Sequence, residues 1–301
     1  MSRLRLTEEQ AAASHARRNL LTRDRMARYR GRLAEQRLAE ARGRLDKCTY
    51  IYRPRGQAFE YSPLSANPYR GCGHKCLYRY VPQTIHMPRR QFDAGAFPRK
   101  NFLEKLTKDA AKYRAAGVSE QVMLSFTTDP YHPGNTELTR QTIEVLIEHG
   151  LAFCTLTKGG VRALRDLDLF RPGRDAFATT LTSLRDEFSL KWEPGAPVPS
   201  NRLLALKRFH QAGIFTWVSL EPTLDAAASI EIIKQTHGFV DFFKVGRVNY
   251  KKMTKKIDWK DYTERVIEVL DAVGARAYIK KDLQSYLPAG YDNPLRVPQH
   301  H

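Results

Sequence analysis

Cys72 and Cys76 stand four residues apart in the stretch Asn67-Pro68-Tyr69-Arg70-Gly71-Cys72-Gly73-His74-Lys75-Cys76-Leu77-Tyr78-Arg79-Tyr80, with a glycine on each side of the first. Close thiols in a glycine-flanked loop suit metal binding or redox chemistry better than a structural disulfide. A run of thiolates holds an iron–sulfur cluster, and two thiolates with a histidine approach the donor set of zinc. Where a third thiol would complete an iron–sulfur run, position 79 carries arginine. Its guanidinium stays protonated and has no lone pair for a metal. Of the two remaining cysteines, Cys154 lies in an apolar run and reads as a small buried hydrophobe.

A loop of this kind needs a rigid frame, and the pattern downstream supplies one. Apolar spacing predicts helices over 101–116, 136–149, 161–170, 201–212, 226–237 and 258–273. Between them, short apolar runs predict strands over 121–126, 151–156, 176–181, 215–220, 239–245 and 275–279. Short strands separated by helices of ten or more residues imply an α/β fold with a parallel sheet and crossover helices, closed or partly closed. The segment 49–63, with Arg53-Pro54-Arg55-Gly56, reads as a linker into the cysteine loop.

In such folds chemistry gathers at the carboxyl ends of the strands. Five predicted strand ends turn polar at the same place in their unit: Ser125 to Asp129, Thr157-Lys158, Thr179-Thr180, Ser219 with Glu221, and Lys244 to Asn249. Their recurrence points to one polar pocket. Asp129 and His132 are an acid/base candidate within an ordinary turn sequence, Asp-Pro-Tyr-His-Pro. Asp166 and Asp168, two apart on a predicted helix, are expected to face different sides. Gly159-Gly160 lacks the spacing of a phosphate loop.

Fifty Lys and Arg against 32 Asp and Glu give a net charge of +18, which attracts polyanions and makes nucleic acid the natural partner class. Residues 1–46 alone hold twelve Arg against six acidic residues in a background of good helix formers. The expected organisation is a basic, largely helical extension over 1–48, a barrel over 49–285 and a tail over 286–301. No apolar run is long enough to span a membrane and no signal peptide is legible, so a cytoplasmic location is expected.

The motifs together resemble the radical S-adenosylmethionine (radical SAM) superfamily, and within it the spore photoproduct lyase-related group. That loop has the form Cys-x3-Cys-x-aromatic-Cys, preceded by Asn-Pro-Tyr-x-Gly and followed by Tyr. Asn67 to Cys72, Cys76-Leu77-Tyr78 and Tyr80 match it. Thr128-Asp129-Pro130-Tyr131, Thr157-Lys158 with Leu164 to Leu169, and Gly246-Arg247 resemble later motifs of the group. The resemblance covers about 61–279 and implies a partial or full TIM-like (β/α) barrel. It also implies a [4Fe-4S] cluster on three thiolates, and SAM on the open iron, cleaved to a 5′-deoxyadenosyl radical. By resemblance, Cys72 and Cys76 are cluster ligands and Tyr78 packs near the adenine. Ser125, Thr127, Thr128 and Asp129 lie near the methionine amino group, and Lys158 meets the SAM carboxylate.

Position 79 then has three readings. The cluster is absent or labile, and the fold survives as a scaffold that binds SAM, nucleic acid or a protein complex. Another side chain, His74 or His86, supplies the ligand. Or Arg79 is a replacement of Cys, since Cys and Arg codons can differ by one base.

Overall fold

The computed structural model describes residues 26, 36, 37, 39–248 and 257–295. Most of the N-terminal extension, Asn249 and the end of the tail lie outside them. The chain divides into two compact units, one of residues 1–47 with 112–118 and one holding the remainder. Of the first unit's N-terminal segment, residues 39–43 are helical and Leu45–Lys47 form a 3-10 turn. No helix among the described residues is long and apolar enough to cross a membrane.

Among the described residues the second unit is built on ten strands: β1 (Ile51–Tyr52), β2 (Leu64–Ala66), β3 (Tyr69–Arg70), β4 (Phe97–Pro98), β5 (Val122–Leu124), β6 (Phe153–Thr157), β7 (Ala176–Thr180), β8 (Phe215–Leu220), β9 (Phe242–Val245) and β10 (Ala277–Ile279). Eight of them form one sheet in the order β1-β2-β5-β6-β7-β8-β9-β10, parallel from β2 onward with β1 antiparallel at the edge. β3 and β4 pair separately. Among the described residues the large sheet runs open from β1 to β10, so the barrel is partial.

Parallel strands covered by helices are buried on both faces, which is why β7 and β9 are buried at every position. One face packs Met123, Cys154, Ala176, Ala178, Trp217, Phe242 and Tyr278 into a single core. The opposite face meets the helices. Phe177 of β7 stacks on Phe209 of helix Pro199–Gln211 with ring centroids 3.9 Å apart, and Phe170 closes on Phe209 edge-on at 4.7 Å. Helices start where an aspartate caps them: Asp225 accepts from the amides of Ala227 and Ala228, and Asp258 from those of Lys260 and Asp261.

Three expectations are corrected. The segment 49–63 is no linker: it carries β1 and the 3-10 helix Gly56–Glu60, and Asp109 Oδ2 accepts the amides of Thr49, Tyr50 and Ile51. A two-residue strand next to Pro and Gly is too short to show any period. The helix expected over 161–170 is a 3-10 run, Gly160–Leu169. Finally, β9 begins only at Phe242, because His237–Phe239 continue the preceding helix as a 3-10 turn.

Candidate functional site

Side chains along a strand alternate between faces, so the inward parity of the core residues can be carried past each strand end. From Met123 it reaches Ser125, from Cys154 Leu156 and Lys158, from Ala178 Thr180, from Trp217 Ser219 and Glu221, and from Tyr278 Lys280. All of these line one cleft of about 850 Å3, counted out to its open mouth. Gln57 and Ala58 of the 3-10 helix Gly56–Glu60 and the residues Tyr78 to Val81 complete its rim.

The cysteine loop is fastened to this cleft by the residues around it. Asn67 Oδ1 accepts the amides of Phe126 (2.8 Å) and Thr127 (3.1 Å), which ties the approach to the loop to the end of β5. The Tyr69 hydroxyl accepts the Thr139 amide at 3.1 Å, at the start of helix Glu137–Glu148. Gly71 has a left-handed φ of +84°, and a Cβ there would fall 2.3 Å from the Gly95 carbonyl oxygen. The turn itself is held by Cys72 N donating to Phe92 O (2.8 Å), Leu77 N to Trp192 O (2.9 Å) and Gly195 N to His74 O (3.0 Å).

Both thiols are buried. Burial pushes Cys76 up to about 11. At Cys72 burial acts in the same direction, but the hydrogen bond from His74 and the Arg79 charge outweigh it and hold the thiol below its ordinary value. Arg79 donates from NH2 to the Phe126 carbonyl at 3.0 Å, and its carbon centre lies 5.6 Å from the Phe92 ring centroid. Burial opposes the guanidinium charge, yet the neighbouring thiols and Asp129 more than offset that and keep it protonated.

Asp129 is the most heavily bonded carboxylate of the site. It accepts from Tyr131 N (2.9 Å), Lys158 N (2.6 Å) and Thr157 Oγ1, and its Oδ2 lies 3.3 Å from His74 Nδ1. Burial alone would raise its pKa, but these partners hold it far below the carboxylate range. His74 Nε2 is 3.2 Å from Arg162 NH2, which can only donate. His74 Nε2 is thus engaged, while the buried Nδ1 makes the charge contact with Asp129 and no hydrogen bond.

Behind Tyr78, Glu193 forms a fully buried ion pair with Arg202 at 2.5 Å and also accepts from the Tyr78 hydroxyl and from Ser189 Oγ. Across the cleft, Glu221 Oε2 accepts from Lys280 Nζ and the Tyr61 hydroxyl, and Tyr61 also meets Ser219 Oγ at 2.9 Å. Lys280 Nζ lies 4.5 Å from the Tyr61 ring centroid.

Of the residues singled out from the sequence, Tyr78, Ser125, Thr128, Asp129 and Lys158 line the cleft. Thr127 does not: its hydroxyl donates to Tyr69 O and serves the loop. Cys72 and Cys76 are buried beside Arg79 and are not part of the cleft lining. Glu221, expected in the pocket, is there. His132 is not. Its Nδ1 accepts the Gly134 amide and its ring packs edge-on against Tyr69, so Asp129 and His132 form a turn and not an acid/base pair. Asp166 and Asp168 do not point apart, as expected of a helix, but converge on Arg140 at 3.2 and 2.7 Å, a consequence of the 3-10 backbone. Cys154 is buried, accepts from Trp217 Nε1 at 3.2 Å and is pushed up to about 12 by burial. Tyr61, Lys280 and Glu193 were not found from the sequence. The strand parity above would have reached Lys280; nothing local marks Tyr61 or Glu193.

Residues 66–225 match the Radical SAM superfamily, more than half of the sequence. The chain belongs to the radical SAM superfamily. A protein of Acidianus two-tailed virus is 28% identical over 177 residues, 55% of this chain and 57% of that protein. A Mycobacterium tuberculosis protein is 29% identical over 170 residues, 53% of this chain and 49% of its own length. The chain thus spans about half the length of the curated relatives it matches. Two solved structures share the fold. A variant spore photoproduct lyase with bound AdoMet and dinucleoside spore photoproduct superposes with a TM-score of 0.60 at 15% identity, over 76% of this chain and 79% of the other. Streptococcus suis SuiB bound to S-adenosylmethionine gives 0.57 at 14% identity, over 74% and 52%.

The radical SAM family implies a [4Fe-4S] cluster and SAM, and the two fare differently against these residues. The cleft has aromatic walls, Tyr61, Tyr78 and Phe126, of the kind that stack on a nucleoside base. The donor set for a cluster is one thiolate short. A guanidinium hydrogen-bonded to the Phe126 carbonyl occupies the third position. His74 faces Asp129 at Nδ1 and Arg162 at Nε2, and His86 is exposed and outside the cleft lining. Among the described residues no three His, Cys, Asp or Glu side chains are placed to hold a metal ion, which removes the zinc alternative as well.

Proposed function

We propose that this chain is a radical SAM-fold protein that binds S-adenosylmethionine or a related nucleoside in its cleft without assembling a complete cluster, and so generates no radical. The observation that carries this reading is Arg79. Its cationic side chain, anchored on Phe126 O, lies beside Cys72 and Cys76 where a third thiolate is required. The cleft around it is otherwise well formed. Tyr78 is fixed by Glu193, and Asp129 by three donors, so the walls need little ordering to receive a ligand. That the fold neighbours were solved with SAM, and one with a dinucleoside, supports the nucleoside class. In this reading Tyr78 stacks near the adenine, Ser125 and Thr128 offer hydroxyls to the methionine end, and Lys158 meets its carboxylate.

The basic surface supports nucleic acid as a partner, through the net charge of +18 and the Arg-rich segment 1–46. The reading is tested by titrating SAM into protein stripped of metal, followed by calorimetry. Saturable binding at one site per chain is expected. An absence of binding to folded protein contradicts it.

A further inference from the structure

Two cations line the cleft with hydrogen-bonding capacity left unused. Lys158 is 8% exposed, and its Nζ makes no hydrogen bond or ion pair with a described residue; it lies over the face of Tyr78, 5.6 Å from the ring centroid. Arg79 spends one N–H on Phe126 O, while its Nε is buried with no acceptor among the described residues. An unmatched buried donor is costly, which makes such an arrangement a receptor for something that accepts.

The nearby acids are already engaged. Glu193, whose charge reaches Lys158, is paired with Arg202, and Glu221 with Lys280 and Tyr61. Asp129 is the carboxylate that acts on the Arg79 charge, and Thr157, Tyr131, Lys158 N and His74 hold it. The carboxylates near the two cations therefore have their lone pairs taken by others, and the other neighbours of Arg79 are the thiols of Cys72 and Cys76. Both line the same cleft as the aromatic walls.

We propose that Arg79 and Lys158 form an anion subsite on the floor of the cleft, which takes the carboxylate or phosphate of a nucleoside ligand without any metal. The subsite rests on the nucleoside reading above. Arginine at position 79 does not leave an empty cluster loop; it converts a place for iron into a place for an anion. A guanidinium fork with a nearby ammonium matches carboxylate and phosphate alike.

Three ligands that share adenosine separate these possibilities: adenosine itself, S-adenosylhomocysteine with its carboxylate, and AMP with its phosphate. Each is titrated into metal-free protein and into Arg79→Gln, Arg79→Lys and Lys158→Met, with thermal unfolding as the check that each variant is folded. At least one anionic ligand is expected to bind about tenfold or more tightly than adenosine, the worth of one charge-assisted contact. Preference for S-adenosylhomocysteine identifies a carboxylate source, and preference for AMP a phosphate source. The gain should be lost in Arg79→Gln and Lys158→Met and partly kept in Arg79→Lys. Equal affinity for all three ligands overturns the subsite while leaving the nucleoside reading intact, and so does a gain that survives in both Arg79→Gln and Lys158→Met. Failure of all three to bind folded protein overturns both.

Discussion

Glu193 and Arg202 are both fully buried, and neither would be tolerated there alone. Burial by itself would raise the Glu193 pKa, but the Arg202 guanidinium, with Lys158 and Tyr78, brings it below the ordinary carboxylate value. A carboxyl depressed in the folded state stabilises the fold above its unfolded pKa, about 4.3 for Glu, and loses that contribution as pH falls. Glu193→Gln should therefore lower stability at neutral pH by about 3 kcal/mol, since it strands a buried guanidinium. The gap in urea midpoint between wild type and variant should be widest above about pH 5 and narrow below about pH 4. A gap that does not change with pH would mean that the pair is not ionised in the fold. Because Glu193 also holds the Tyr78 hydroxyl, the variant should weaken nucleoside binding too.

Among the elements, the cysteine loop depends on a close approach from a distant one. Gly195 donates to His74 O at 3.0 Å, and a Cβ at that position would fall 2.4 Å from the Gly73 carbonyl oxygen and 3.0 Å from the His74 Cα. Gly195→Ala should displace the loop and destabilise the fold by roughly 1–3 kcal/mol, read as a lower Tm, with a loss of ligand affinity beyond what stability explains. An unchanged affinity would show that the loop does not shape the cleft. The sheet that carries the loop was largely legible, because β5 to β10 are apolar runs ending in polar residues, set between helices long enough to show a period. Less was visible where short-range pattern is weak. β1 has two residues, and helix Asp186–Trp192 escapes a reading by period. Partners such as Glu193 for Tyr78, 115 positions apart in the chain, exist only once the fold brings them together. Thr127 misled because a strand-end hydroxyl can serve the backbone as readily as a ligand.

At the scale of the whole molecule, charge and cofactor chemistry make separate predictions. With +18 net charge, binding to single-stranded DNA should fall linearly in log affinity with log salt, and removing 1–46, with its twelve Arg, should flatten that slope. An unchanged affinity and slope would take the segment out of nucleic-acid binding. The cofactor prediction is independent of it: the fold is that of the radical SAM superfamily, yet its cluster loop has two thiols and a guanidinium. The most direct test is a count of iron and acid-labile sulfide after anaerobic reconstitution, for the chain with Arg79 beside Arg79→Cys. Well under one cluster per chain is expected with Arg79, and close to four irons and four sulfides with cysteine there. Near-stoichiometric cluster on the chain that keeps Arg79 would contradict it.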